Sequence, residues 1–293
     1  MSGGTHTSRT TAIASLAVLA VALGMIPLIV RIDVPSTHLV AMRVSLGALV
    51  LVSFSAATVR LAVPWHRWRR IVVLGAVLTT HWLSFFVALK LTTVAVALAI
   101  VYIGLVVAAI LSGPLLHEPM TRGVIIGLVL AVLGMLLVVR PGAGATIGGV
   151  VAATASGVLF AAVMLVGKPL VSDIGGLSIA TWELVVASII LAPFTVQAVR
   201  ESTEFWPQFL ILGALFTGLA GVVYWTAMSH LPVAIVSVIL YLEPASAVVW
   251  AAVFLGERPE PLTWLGVALV IIAGTVATRG LSDGEVIGVT EAL

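Results

Sequence analysis

The chain has 293 residues, of which 61% are hydrophobic and 9% charged, with a formal net charge of +2 and no cysteine. A soluble domain carries roughly a quarter charged residues, so this composition cannot supply a solvated shell, and a mean hydropathy of +1.25 agrees. The few scattered basic residues leave no nucleic-acid footprint, and the missing cysteines exclude disulfides, thiolate catalysis and cysteine-ligated metals.

A bilayer-spanning helix needs about 20 mostly apolar residues. Taken in chain order, the stretches that qualify are 10–30, 36–58, 71–89, 92–115, 121–139, 147–167, 177–198, 209–228, 231–255 and 261–278. The first runs from Thr10 to Val30. That is too long for the apolar part of a signal peptide, and no small-residue cleavage site follows it. Pro35-Ser36, His117-Glu118-Pro119, Arg140-Pro141-Gly142 and Pro259-Glu260-Pro261 separate the later stretches, because proline and glycine disfavour helix continuation. The expected fold is all-α: a polytopic membrane protein with ten transmembrane helices in a lipid bilayer.

Lysine and arginine set orientation. Arg9, Arg60, Arg67, Arg69, Arg70, Arg122, Lys168 and Arg279 fall on one side, and Arg31, Lys90, Arg140, Arg200 and Arg258 on the other. The more basic side also has Trp65 and Trp68 as interfacial anchors. Both termini are therefore expected in the cytoplasm, in a bacterial-type inner (plasma) membrane. The short acidic tail from about residue 280 is expected to be disordered.

A shift of 139 residues superimposes two segments without a gap. Val94 then falls on Val233, Tyr102 on Tyr241, Ala108 on Ala247, Glu118 on Glu257, Gly127 on Gly266 and Arg140 on Arg279. Apolar coincidences are cheap in such a chain, but tyrosine, glutamate and arginine at one offset are not. The chain reads as two five-helix repeats, 1–142 and 143–293. Five is odd, so the second half is expected inverted, an arrangement that favours transporters with a midplane site.

The stretch Tyr241-Leu-Glu-Pro-Ala-Ser-Ala, with Phe254-Leu-Gly-Glu257, Trp264-Leu-Gly and Ala273-Gly274, closely resembles the second-half signature of the EamA family of the drug/metabolite transporter superfamily. Leu116-His-Glu118-Pro-Met-Thr and Gly127…Gly134 repeat it more loosely in the first half, and Arg43 is also similar to the family pattern. Val166-Gly-Lys168-Pro resembles the amino-acid exporter branch, including threonine/homoserine exporters. The resemblance covers nearly the whole chain. It implies a secondary transporter exporting amino acids or similar small metabolites by alternating access, driven by protons or by the solute's own gradient. A multidrug exporter of the same superfamily is the alternative, and an intramembrane enzyme or a structural membrane partner a third reading. The halves differ at one point: Gly104-Leu105 stands where the second half has Glu243-Pro244.

Ionisable residues inside a membrane mark function by default. Glu243 is the sharpest candidate for a proton or substrate site. Pro244 removes the amide that would bond the Leu240 carbonyl, so a carboxyl and a freed carbonyl share one turn. Ser246 and Trp250 follow on the same face, at the i+3 and i+7 positions. His81, with Phe85 on its face, is a candidate proton relay or a neutral histidine bonded to a carbonyl. Tyr102, Tyr224 and Trp225 could line a cavity, although aromatic side chains in a bundle are more often packing. Arg43, Glu183, Glu118 and Glu257 read as structural charges, the last two beside the positive ends of helices. Rise per residue places Arg43 and Glu183 roughly 10 Å apart in depth, so no direct ion pair is expected. Gly123 and Gly127 are spaced for close helix approach, at an internal contact or in a homodimer. There is no Walker A loop, no zinc-type His-Glu-x-x-His and no nucleophile elbow. No enzyme activity, cofactor or metal is therefore expected, and the partners are a small-molecule substrate, lipid and protons.

Overall fold

A computed structural model describes residues 3–30, 32–58, 61, 63–139 and 146–279. Arg31, Arg60, the Arg140-Pro141-Gly142 turn and the acidic tail lie outside the described residues. Nine helices among those described are long and apolar enough to cross a membrane, and a bent pair makes a tenth. They are α1 (Ser8–Ile29), α2 (Ser36–Ala56), α3 (Trp65–Leu91), α4 (Val94–Leu116), α5 (Arg122–Val139) and α6 (Ile147–Ile174). The bent pair Gly176–Ile190 and Ala192–Glu201 forms α7, followed by α8 (Thr203–His230), α9 (Val233–Leu255) and α10 (Pro261–Arg279). The protein is an all-α integral membrane protein. Its exposed surface is studded with valine, leucine and isoleucine, as an acyl-chain environment requires.

Predicted and observed spans agree closely, and the exceptions have local causes. Helix α6 runs on to Ile174, past the predicted end at 167, carrying Pro169 within it. Helix α7 bends by 74° at Leu191, where Pro193 begins the second piece. Ser45 of α2 holds both sides of that bend, with its hydroxyl 3.0 Å from Ser188 Oγ and 2.9 Å from Thr195 Oγ1. Helix α1 breaks at Gly24-Met25 ahead of Pro27.

The closest association is α5 along α10. It is made by small residues: a Cβ on Gly127 would lie 2.8 Å from Ala277 Cβ, and one on Gly134 2.7 Å from the Gly266 carbonyl. Gly127 is thus committed inside the molecule, the internal alternative to a dimer face. Helix α6 packs on α3 and α4, and α1 on α8 and α9, while α2 meets α8 and α3 meets α7. Exchanging α1–α5 with α6–α10 maps these contacts onto one another. The map is not equal throughout: α6 packs more extensively on α3 than α1 does on α8, and α7 and α8 pack more closely than α2 and α3.

Where α6 and α8 end, Lys168 Nζ donates to the carbonyls of Met228 at 2.6 Å and Leu231 at 2.7 Å, and lies 3.4 Å from Glu118 Oε1. Glu118 Oε2 accepts the Val233 amide at 2.6 Å. The sequence places Glu118 before α5, but it caps α9 of the other half. Replacing Lys168 with methionine leaves a half-buried carboxylate and two carbonyls without their cation. Lys168→Met is expected to cost about 2–3 kcal/mol, read as a lower Tm in detergent. Lys168→Arg should recover part of the loss.

Candidate transport site

Two helix irregularities set the interior. Helix α9 is two pieces, Val233–Leu240 and Leu242–Leu255, joined at Tyr241. The Tyr241 amide turns back to the Val238 carbonyl at 3.2 Å, three residues away, a tightened turn where Pro244 offers no donor. Helix α8 contains a wide π-helical stretch, Ile211–Leu219. Thr217 explains it, because its hydroxyl donates to Leu212 O, five residues back, at 2.7 Å. Gly47 of α2 fits against the widened turn, where an added Cβ would lie 3.0 Å from Gly213 O. Such π segments commonly occur at functional sites.

Arg43 is held on the π-helical stretch. Its Nε donates to Thr217 Oγ1 at 2.9 Å and its NH2 to Phe216 O at 3.2 Å. The guanidinium also lies over the Trp82 ring, 5.0 Å from the centroid. The remaining guanidinium N–H donors have no partner of this kind. Glu243 and His81 are both within electrostatic reach of Arg43. Glu243 is half-buried in the bundle, with the Tyr102 hydroxyl as its side-chain neighbour. Neither Glu243 nor Glu183 comes within 4 Å of Arg43, so the expected absence of an Arg43–Glu183 pair is observed. Arg43→Lys cannot reproduce the fork or the stacking. A loss of about 1–2 kcal/mol is expected, measured by thermal unfolding in detergent, and Arg43→Met should lose more.

His81 is held by α6. Its Nδ1 lies 2.9 Å from Ser156 O and 3.0 Å from Ser156 Oγ, and the ring stacks on Phe160 at 4.9 Å. No hydrogen bond links it to Glu243, so the described geometry matches the carbonyl-bonded alternative for this histidine. Phe85 packs with Phe86 and a small cluster around Ala97 and Ala153. Tyr241 donates to Tyr102 O at 2.8 Å, and the two rings meet edge to face at 5.5 Å.

Ser246 and Trp250 turn to α1 rather than joining Glu243 around Arg43. Met25 N bonds Ala22 O, which leaves Val21 O without its helical donor. Trp250 Nε1 donates to that carbonyl at 2.8 Å, and Ser246 Oγ lies 3.1 Å from it while also 2.9 Å from the Glu243 carbonyl of its own helix. Trp225 is fully buried and donates to Glu183 Oε1 at 2.6 Å, with Tyr224 against its ring. Glu257 forms an interaction of its own. The sequence reading missed Thr217, Trp82 and Ser156. A threonine inside an otherwise apolar α8 segment was the available signal. An apolar cleft of about 350 Å³ lies elsewhere, lined by Val96, Ile100, Val132 and Met135 and touching Tyr241. Its lining suits an acyl chain and carries none of the charged groups. Among the described residues no group of three His, Asp or Glu is placed to hold a metal ion.

Ten spans with contacts exchanged between halves, and charged groups inside the bundle, define a polytopic membrane protein of transporter type. The EamA-like transporter family matches residues 10–140 and again 147–279, and the chain belongs to that family. Among similar proteins, the threonine/homoserine exporter RhtA of Escherichia coli (strain K12) is 25% identical over 81% of this chain and 80% of its own length. The uncharacterized transporter YxxF of Bacillus subtilis (strain 168) is 23% identical over 72% of this chain and 70% of its own. A probable terminal-alkyne amino-acid exporter of Streptantibioticus cattleyicolor is 30% identical over 59% of this chain and 60% of its own. One crystal structure superposes with a TM-score of 0.79 at 20% identity, covering 92% of this chain and 98% of that one. That likeness concerns the fold alone.

Proposed function

We propose that this transporter exports amino acids or closely related zwitterions across a bacterial inner membrane. The observation that carries the reading is the separation of Arg43 from Glu243. A cation with spare donors and a carboxyl are within electrostatic reach of each other, but no direct contact closes the gap. A zwitterion fits such a pair, its carboxylate on the guanidinium and its ammonium on Glu243 with the Tyr102 hydroxyl alongside. The exporters named among the similar proteins support the same solute class. Two halves, 1–142 and 143–293, inverted about an axis in the membrane plane and rocking around this site, would give alternating access, with both termini cytoplasmic. Protons and the solute ammonium would compete for Glu243, which is a direct route to exchange. No enzymatic step is assigned.

The test is uptake of a labelled amino-acid panel into inverted vesicles containing the protein. Neutral amino acids such as threonine and homoserine should accumulate, and their N-acetyl and amide derivatives should neither accumulate nor compete. Accumulation of lipophilic cations with no effect of any amino acid would instead establish the multidrug reading.

A further inference from the structure

The Arg43–Glu243 site leaves a second membrane acid without a role. Glu183 on α7 is only 4% exposed. Its Oε1 accepts from Trp225, while Oε2 is buried and meets no donor. The Tyr224 hydroxyl, also buried and without a partner, is within electrostatic reach of Glu183. A carboxylate here would be a buried charge with one hydrogen bond, an arrangement proteins avoid.

Among the described residues no cation forms an ion pair with it. Arg43 forms no ion pair with Glu183, Lys168 is engaged by Glu118 and two carbonyls, and Arg67 by Asp173 at 2.6 Å. His38 lies 3.2 Å from Ser202 Oγ, and His81 is held by Ser156. Arg69, Arg70, Arg200 and His230 are at the exposed surface. A proton on Oε2 removes the buried charge, which no donor meets on that oxygen.

One wall of the same pocket is the Trp225 ring. The outer edge of the Trp225 ring that holds Glu183 packs on α6 at Gly167, where an added Cβ would fall 2.0 Å from it. Lys168, the next residue, ties α6 to the end of α8. Parting of α6 from α8 at this end would therefore lift Trp225 from Gly167 and admit water to Glu183.

We propose that Glu183 is a second proton-binding site, neutral while α6 and α8 are closed at the Lys168 end, which gives its proton to entering water when Trp225 lifts off Gly167. The O–H bond of the acid breaks and a hydronium forms. The reverse transfer accompanies closure. The proposal rests on the alternating-access reading above.

The chain has no cysteine, so the exposed pair Ser172→Cys and His230→Cys can carry spin labels to report the α6–α8 distance in proteoliposomes. The wild-type background should shift to the short distance as pH falls. Glu183→Gln should remain short at every pH, and Glu183→Asp should restore the dependence. Infrared spectra should show a neutral-acid carbonyl band that Glu183→Gln removes. A distance in the wild-type background that ignores pH, a Glu183→Gln protein that keeps the wild-type pH dependence, or a neutral-acid band untouched by Glu183→Gln would each overturn the proposal. Glu243→Gln in the labelled background should retain the distance change while losing coupled transport. Failure of the zwitterion reading appears separately, as missing amino-acid uptake in the unlabelled wild type.

Discussion

Glu243→Gln is expected to abolish the response of transport to an imposed pH gradient. The amide keeps the size of the side chain and an oxygen for the Tyr102 hydroxyl, so the bundle should fold as before. It cannot ionise, so neither a proton nor an ammonium can be exchanged there. Downhill solute exchange should also fall, by roughly ten- to a hundredfold, the worth of one charge-assisted hydrogen bond. Glu243→Ala should be worse, since it also strips the Tyr102 hydroxyl of its neighbour. Glu243→Asp should keep a pH response at a reduced rate. His81→Gln should be milder, because His81 bonds to Ser156 and not to the acid. The measurement is transport in proteoliposomes with and without the gradient. A Glu243→Gln protein with a full wild-type response would make Glu243 architectural.

The largest effect on stability is expected at Gly104. A Cβ there would lie 2.1 Å from the Gly157 carbonyl oxygen and 2.7 Å from its carbon. Both atoms are backbone of α6, so no rotamer change relieves the clash. The helices must part, and the same α6 carries Ser156, which holds His81 of α3. Gly104→Ala should cost about 3 kcal/mol or more, the upper range for overpacking, and Gly104→Val should prevent folding. Gly274→Ala in α10 is the control. Nothing lies within 4 Å of its added Cβ, so it should be neutral or gain up to about 1 kcal/mol in helix propensity. Thermal unfolding of the three proteins in one detergent checks the ordering. Equal midpoints for Gly104→Ala and wild type would mean that α4 and α6 are not in backbone contact.

Gly104 also explains where the two halves part company in sequence. Its repeat equivalent is Glu243, and the first half cannot carry a side chain at that position because α6 occupies the space. The single acid of the pair is thus a consequence of packing between α4 and α6. Only one of the two equivalent positions has room for a polar side chain.

Composition and spacing by themselves determined the class, the ten spans, the break in α9 and the family, because apolar length, proline and the 139-residue offset are local or periodic features of the chain. They also placed Glu243 and Arg43 within long apolar helices, and the Arg43–Glu183 pair that the depth count disfavours is not formed. Tertiary structure alone decided which faces meet. It turned Ser246 and Trp250 to the Val21 carbonyl, gave Glu118 to the amide of Val233 115 residues away, and set Trp225 between Glu183 and Gly167. Those outcomes depend on small rotations at the breaks in α1, α8 and α9, where the helical period that a sequence reading relies on is interrupted.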